Sequence, residues 1–382
     1  MLIYIFILFV FVLLFLKSRN KHSGQKAALF CICLLVLLAG LKYRVGSDAL
    51  LYQDIYEQYP TLNQLDKNYI FSARWGPLFV VWYSFCHTIF HDFIFYQFIH
   101  AIILLVAVYR LIRHYSETMM PAILMFSVVM YLFMTFDLYR EGLAAALFLF
   151  GIPYLEKKNY VVYFAFCFAS FNIHTSSFLI FLVPFINKVN LIKWNWRLFT
   201  VCFVMAFILP SIIIPLVNMI PVNAVKALAL KYLLKGIEVE GMTVTRAIFS
   251  IAMYYFAIHK NLKYVTEQNK LVFNLAFLSL LIETLQKAVP FIFRLNSYFS
   301  IFLIIALTLT IERMLLANKL NLAKKYAMAF LIMLIYSGPK LLDYAYSEGT
   351  HNAYFPYVSI FDPHMISKRE FHSATDYLYY DQ

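Results

Sequence analysis

Residues 2–16 form an unbroken apolar run, and comparable runs recur along almost the whole chain. Such a stretch has no polar face to turn toward water, so it needs either a large core or lipid. Recurrence decides between the two. With 63% of residues hydrophobic and 14% charged, too few polar side chains exist to coat a soluble fold. The runs are continuous rather than alternating, which excludes a transmembrane β-barrel and leaves helices. An all-α polytopic membrane protein of about 11–13 transmembrane helices is expected. Phe and Tyr number 39 and 29 against 10 Gly, which favours aromatic-rich helices over a glycine-threaded channel. The five cysteines lie inside apolar runs and show no disulfide or metal spacing.

The apolar spans fall near 2–16, 27–43, 93–112, 119–136, 138–155, 160–173, 175–187, 198–219, 243–259, 271–288, 295–311 and 326–338. Nothing basic precedes the first, and no small-residue cleavage site ends it, so it reads as a retained helix rather than a signal peptide. Lys17, Arg19, Lys21 and Lys26 follow it, which by the positive-inside rule puts the N-terminus outside. Residues 76–91 read as a re-entrant or interfacial helix. Only then do the basic turns Arg110/Arg113, Lys157/Lys158, Lys188–Arg197, Lys260–Lys270 and Arg313–Lys325 all face the cytoplasm. One membrane domain is expected over 1–338, with an outer loop at 44–92 and an outer amphipathic segment at 220–242, followed by a Tyr-rich outer tail at 339–382. Within that amphipathic segment, Lys231 and Lys235 stand one turn apart. In the tail, Tyr344, Tyr346, Tyr354 and Tyr357 are either glycan-stacking or interfacial residues.

This topology gathers Arg44, Asp48, Arg74, Arg140, Glu141, His174, Arg246 and Arg294 at or just beneath the outer face. Ionisable groups in a membrane cost roughly 2.5–3.5 kcal/mol each on insertion scales. Several at one depth therefore call for mutual pairing or an anionic ligand, with snorkelling to headgroups as the plainer alternative for any single arginine. In Arg44-Val-Gly-Ser-Asp48, Gly46 permits a tight turn that brings Asp48 back toward Arg44, and Tyr52 comes one helical turn on. In Asp137-Leu-Tyr-Arg140-Glu141, the adjacent Arg140 and Glu141 cannot share a helix face, so one serves a site while the other braces it. His174, between Asn172 and Thr175-Ser176-Ser177, can accept or relay a proton near neutral pH. Arg294 and Tyr298 lie one turn apart and can present a charge and a hydroxyl together.

Taken in order, R-V-G-S-D with its downstream Tyr52, G-P-L-F, Y-R-E-G-L-A-A-A-L, N-I-H-T-S-S-F, F-R-L-N-S-Y-F and Y-F-P-Y-V-S-I resemble the EpsG-type branch of the Wzy polysaccharide polymerases. The resemblance runs from about residue 40 to 360. Arg44, Gly46, Asp48 and Tyr52 match the family's first motif, with Ser47 where Thr is usual. Arg140 matches the second, with Glu141 in place of Gln. His174 and Arg294 match the third and fourth.

The resemblance implies a GT-C-like membrane glycosyltransferase in the bacterial cytoplasmic membrane, with its site facing outward. It would join polyprenyl-pyrophosphate-linked oligosaccharides, as donor and acceptor, into a surface polysaccharide such as O-antigen, capsule or exopolysaccharide. A chain-length regulator is an expected partner, and nucleic acid is not. The residue chemistry fits. A polyprenyl pyrophosphate leaves readily once its charge is neutralised, and arginine meets phosphate oxygens bidentately. Arg44, Arg140 and Arg294 are thus expected to bind the pyrophosphate, with Tyr52 and Tyr298 beside them and Asp48 or His174 as base. No metal or other cofactor is called for, since the outer loops hold no carboxylate cluster with metal-ligand spacing. A flippase for the same lipid-linked saccharide, or an acyltransferase that decorates the glycan, is the alternative.

Overall fold

The structure is a computed structural model that describes residues 1–18, 20–218, 243–286, 292–317 and 321–371. Among these residues every regular element is helical, and Lys42 and Ser359 form an isolated antiparallel bridge. Among the described residues, five helices are long and apolar enough to cross a membrane: Lys21–Gly40, Phe93–Tyr115, Leu191–Leu209, Phe293–Leu316 and Leu322–Tyr346. Shorter apolar helices accompany them, including Leu2–Lys17, Met119–Val129 and Tyr160–Ile173. Pro77–Ile89, expected to be re-entrant or interfacial, has 13 residues. At 1.5 Å per residue it rises roughly 20 Å, short of a hydrocarbon core of about 30 Å.

The Leu2–Lys17 helix shows how such a sequence sorts its faces. Tyr4, Phe11 and Phe15 are buried, whereas Leu2, Phe6, Phe9 and Leu13 are exposed. Its outer face is as apolar as its inner one, which suits lipid and not water. The chain is an all-α polytopic membrane protein.

Two compact units are present, one of Met1–Phe181 with Ala329–Gln382 and one of Leu182–Met328. In the first, Lys21–Gly40 packs against Phe93–Tyr115 so closely that a Cβ on Gly40 would fall 2.3 Å from the Phe98 ring. Gln97 on the facing helix donates from Nε2 to the carbonyls of Gly40 and Lys42, at 2.8 Å each. It thereby satisfies acceptors that the helix end leaves open, and the chain turns into the segment bearing Arg44. That segment is clasped by residues near the other end of the chain. The amides of Tyr43, Gly46 and Ile360 donate to the carbonyls of Val358, Ala353 and Leu41 at 2.9, 2.9 and 3.0 Å.

The apolar run expected as one helix over 119–136 is divided. After Met119–Val129 comes a π-helical turn at Phe133–Asp137, in which the Leu138 amide reaches the Phe133 carbonyl at 3.0 Å. A wide turn of this kind shifts the register of the helix beyond it. Asp137 and Glu141 become buried, while Arg140 between them stays half-exposed. Tyr139–Glu156 then packs against Tyr160–Ile173 as a hairpin, with Ser170 Oγ donating to the Ala144 carbonyl at 2.8 Å. The helix expected to stop at 338 instead continues from Leu322 to Tyr346 through Pro339. In a membrane span the carbonyl that proline leaves without its helical donor can be satisfied by neighbouring groups.

In the second unit, Lys270–Leu285 packs along Phe293–Leu316. Between them Ser279 Oγ donates to Asn296 Oδ1 at 2.7 Å, and Asn261, in the turn before Lys270–Leu285, donates from Nδ2 to Thr310 Oγ1 at 2.8 Å. The expected outer amphipathic segment at 220–242 lies outside the described residues.

Candidate functional site

Arg44 has a left-handed backbone, φ 48°, and a nearly buried side chain. Its Nε and Nη2 meet both carboxylate oxygens of Glu370 at 2.8 and 2.7 Å, and Nη1 meets Asp54 at 2.6 Å. The Glu370 hydrogen bonds, opposed in part by burial, hold the guanidinium well above its usual pKa. Its donors thus face Asp54 and Glu370, where the sequence pointed to Asp48. The geometry of the Ser47–Tyr56 helix accounts for this, because residues six apart lie on different faces. Asp48, in the first turn of that helix, is within electrostatic reach of Asp137.

Glu370 is set in place by its neighbour. Arg369 is 2% exposed, and its guanidinium donates to three main-chain carbonyls: Asn352 at 3.1 Å, Arg44 at 2.9 Å and Pro356 at 2.6 Å. The helical turn at 367–371 is thereby stapled both to the motif and to the segment that clasps it.

Beneath the motif lies a polar cluster. Asp137 accepts a short hydrogen bond from the Tyr354 hydroxyl. Its other oxygen lies where a Cβ on Gly46 would come within 2.6 Å. Gly46 has φ 113°, a conformation that side-chain-bearing residues rarely adopt. Gly46→Ala is therefore expected to disturb Asp137 and the Phe136 carbonyl, also 2.6 Å away, and to lower the amount of folded protein. The check is an immunoblot of the membrane fraction beside the melting temperature of the detergent-solubilised variant. Lys42 is buried alongside, with Nζ 2.5 Å from the Tyr139 hydroxyl and 4.9 Å from the Phe136 ring centroid.

Arg140 is arranged differently from Arg44. Its Nε donates to the Tyr52 hydroxyl at 2.7 Å, and its guanidinium carbon lies 5.6 Å from the centre of the Trp75 ring. Tyr52 stacks on Trp75 with 5.4 Å between centroids and is held from behind by the Tyr83 hydroxyl, which donates to its carbonyl at 2.6 Å. Among the described residues, no carboxylate lies within ion-pair distance of Arg140. A braced cation with donors to spare is the result.

The residue after Trp75 brings the third motif near. A Cβ on Gly76 would fall 2.2 Å from the Asn172 carbonyl oxygen and 3.0 Å from that of Ile173, so the chain passes directly over the backbone preceding His174. His174 ends the Tyr160–Ile173 helix, with Nδ1 2.5 Å from Ser176 Oγ. Trp75-Gly76 thus links Tyr52 and Arg140 to the backbone at Asn172 and Ile173, just before His174. Arg294 and Tyr298 belong to the second unit, where Arg294 is half-exposed against the Phe293 ring and Tyr298 is buried.

A model of the EpsG family matches residues 26–359. The chain belongs to the EpsG family. No curated protein and no solved structure matches it. Membership in EpsG carries, broadly, a polysaccharide-polymerase-type role for a membrane protein. Every site residue from Lys42 to Tyr354 lies within the EpsG match, and Arg369 and Glu370 lie beyond it. Sequence reasoning missed Lys42, Trp75, Arg369 and Glu370. Lys42 carried a signal, a lone cation at the end of an apolar run. In the tail, Tyr344 and Tyr354 are buried, so they are not open platforms for sugar rings.

Proposed function

We propose that the protein extends a surface polysaccharide at the outer face of the cytoplasmic membrane, joining oligosaccharide repeat units carried on polyprenyl pyrophosphate. The observation that carries this is Arg140, a half-buried guanidinium braced by Tyr52 and Trp75 and left without a carboxylate partner among the described residues. Its remaining N–H groups are preorganised for phosphate oxygens, and such preorganisation stabilises a departing anion. In the reaction, an acceptor hydroxyl oxygen bonds to C1 of the donor sugar. The C1–O bond to pyrophosphate breaks, and the lipid pyrophosphate leaves with the electron pair. The hydroxyl proton passes to Asp48 or His174.

Arg44 has a supporting part in this scheme, since Asp54 and Glu370 already balance its charge. Arg294 and Tyr298 are assigned to substrate binding from motif order. The carrier lipid, the outward orientation and the absence of a metal requirement belong to the same proposal.

A gel of lipid-linked and surface glycan from a deletion strain tests the scheme. Single-unit glycans are expected; complete loss of surface glycan indicates a flippase, and full-length chains with altered decoration an acyltransferase. In the complemented strain, Asp48→Asn and His174→Ala separate the two base assignments. The true base loses polymerisation by roughly 100-fold or more, and the other residue retains most of it.

A further inference from the structure

Between Glu156 and Glu238 the chain carries no acidic residue, and the basic groups there include Lys188, Lys193 and Arg197. All three stand on one short stretch of the second unit, where the Val183–Val189 helix gives way to a 3₁₀ turn at Leu191–Trp194 and then to the Asn195–Asn218 helix. The turn is fastened from inside. Asn274, fully buried in the Lys270–Leu285 helix, accepts from the Ile192 amide at 3.1 Å and donates from Nδ2 to Asn187 Oδ1 at 3.3 Å. Asn195 is buried as well; it donates to the Ile192 carbonyl at 2.7 Å and accepts a short hydrogen bond from the Tyr254 hydroxyl. A satisfied buried polar network of this kind is rigid, so the side chains beside it keep fixed places.

Two indoles and a guanidinium are exposed on this turn. Trp194 and Trp196 are 49% and 60% exposed, and the Arg197 guanidinium carbon lies 5.0 Å from the centre of the first ring and 5.3 Å from that of the second. Lys188, Lys193 and Arg197 are exposed too, and among the described residues no carboxylate lies within ion-pair distance of any of them. Two bare indoles are out of place in water but at home at the headgroup level of a bilayer, where the ring is apolar and its N–H reaches water. The position fits, because the apolar span Leu191–Leu209 starts here. A guanidinium beside two rings is held without being neutralised, and its planar edge keeps donors that can meet two oxygens of one phosphate. The unbalanced charge calls for an anion, and the paired indoles call for that anion to belong to a lipid.

We propose that Lys193, Trp194, Trp196 and Arg197 form a binding site for the headgroup of an anionic phospholipid, with Arg197 on the phosphate and the two indoles against the glycerol and the upper acyl chains. The site serves no step of glycosyl transfer and takes a lipid of the surrounding membrane. A phospholipid with net negative charge is preferred over a zwitterionic one, whose own ammonium would meet Lys188, Lys193 and Arg197.

The experiment uses the full-length protein purified in a neutral detergent and reads, by native mass spectrometry, the dissociation constant of the first lipid bound. Phosphatidylglycerol and phosphatidylcholine are titrated separately. Wild type is expected to bind phosphatidylglycerol about 10-fold more tightly than phosphatidylcholine. Arg197→Gln is expected to weaken phosphatidylglycerol by about 5- to 10-fold, the scale of one surface charge together with its phosphate fork, and to leave phosphatidylcholine unchanged. Should Arg197→Gln fail to accumulate, Lys193→Gln carries the same test, with an expected loss of about 5-fold. Trp194→Leu with Trp196→Leu keeps every charge and is expected to weaken both lipids. Lys157→Gln with Lys158→Gln removes two exposed cations elsewhere and should bind like wild type. Equal affinity of wild type for the two lipids, unchanged phosphatidylglycerol binding by the accumulating charge variant or by the paired tryptophan variant, or an equal loss in the Lys157/Lys158 variant overturns the proposal. Displacement of phosphatidylglycerol by inorganic phosphate at matched concentration shows a site for a free anion and overturns the lipid assignment.

Discussion

Arg140→Ala is expected to reduce polymer formation by about 100- to 1,000-fold while the protein accumulates normally in the membrane. That is the scale of removing one preorganised donor that stabilises developing negative charge. Folding should be spared, because Arg140 is half-exposed and its hydrogen-bond partner is the Tyr52 hydroxyl, while Tyr52 keeps its stack on Trp75 and its bond from Tyr83. Arg140→Lys sharpens the test. Lysine retains the charge but loses the planar fork, so a site that grips two phosphate oxygens recovers only a small part of the activity. The measurement is the distribution of glycan lengths on a gel, beside an immunoblot of the membrane fraction. Chains of normal length from Arg140→Ala would remove Arg140 from the reaction.

Arg369→Ala should act through stability. The guanidinium donates to three main-chain carbonyls in a buried setting, and its removal leaves all three without that donor. Each such loss costs about 1–3 kcal/mol, so roughly 3–5 kcal/mol in total is expected after partial relaxation. The detergent-solubilised variant should melt at a markedly lower temperature than wild type. Arg369→Lys should be almost as damaging, since one ammonium cannot serve three carbonyls spread along two segments. Glu370→Gln offers the contrast. It keeps the staple and weakens only the grip on Arg44, so its melting temperature should stay closer to wild type. Equal melting of Arg369→Ala and wild type would show that the contacts to Asn352, Arg44 and Pro356 contribute nothing.

The membrane class was legible in the sequence because hydrophobic runs report their environment residue by residue. Arg140 was legible too, as a charge interrupting an apolar stretch. The partners of these groups were not. Arg44 meets Glu370 across 326 positions, Tyr354 meets Asp137 across 217, and Lys42 meets Tyr139 across 97. Spacing along a helix carries information over a few turns only, so no pattern in the motif foretold these pairs. The π-turn at Phe133–Asp137 was hidden for a related reason. Phe133, Met134 and Phe136 continue the apolar run before it, and only the hydrogen-bond register reveals where the turn widens. Gly46 was correctly marked as a turn, yet the carboxylate that the turn accommodates comes from Asp137.

The clasp between the Arg44 segment and residues 353–369 also constrains how the protein is made. At roughly 5–20 residues per second, on the order of tens of seconds separate synthesis of Arg44 from that of Arg369. Through that interval the early helices can insert, but the backbone around Arg44 lacks the three-way staple that fixes it. The site is thus completed late in translation. A nascent chain stalled shortly before Arg369 would be a membrane-inserted protein with its first motif unfastened, visible to quality-control proteases as an exposed and mobile loop.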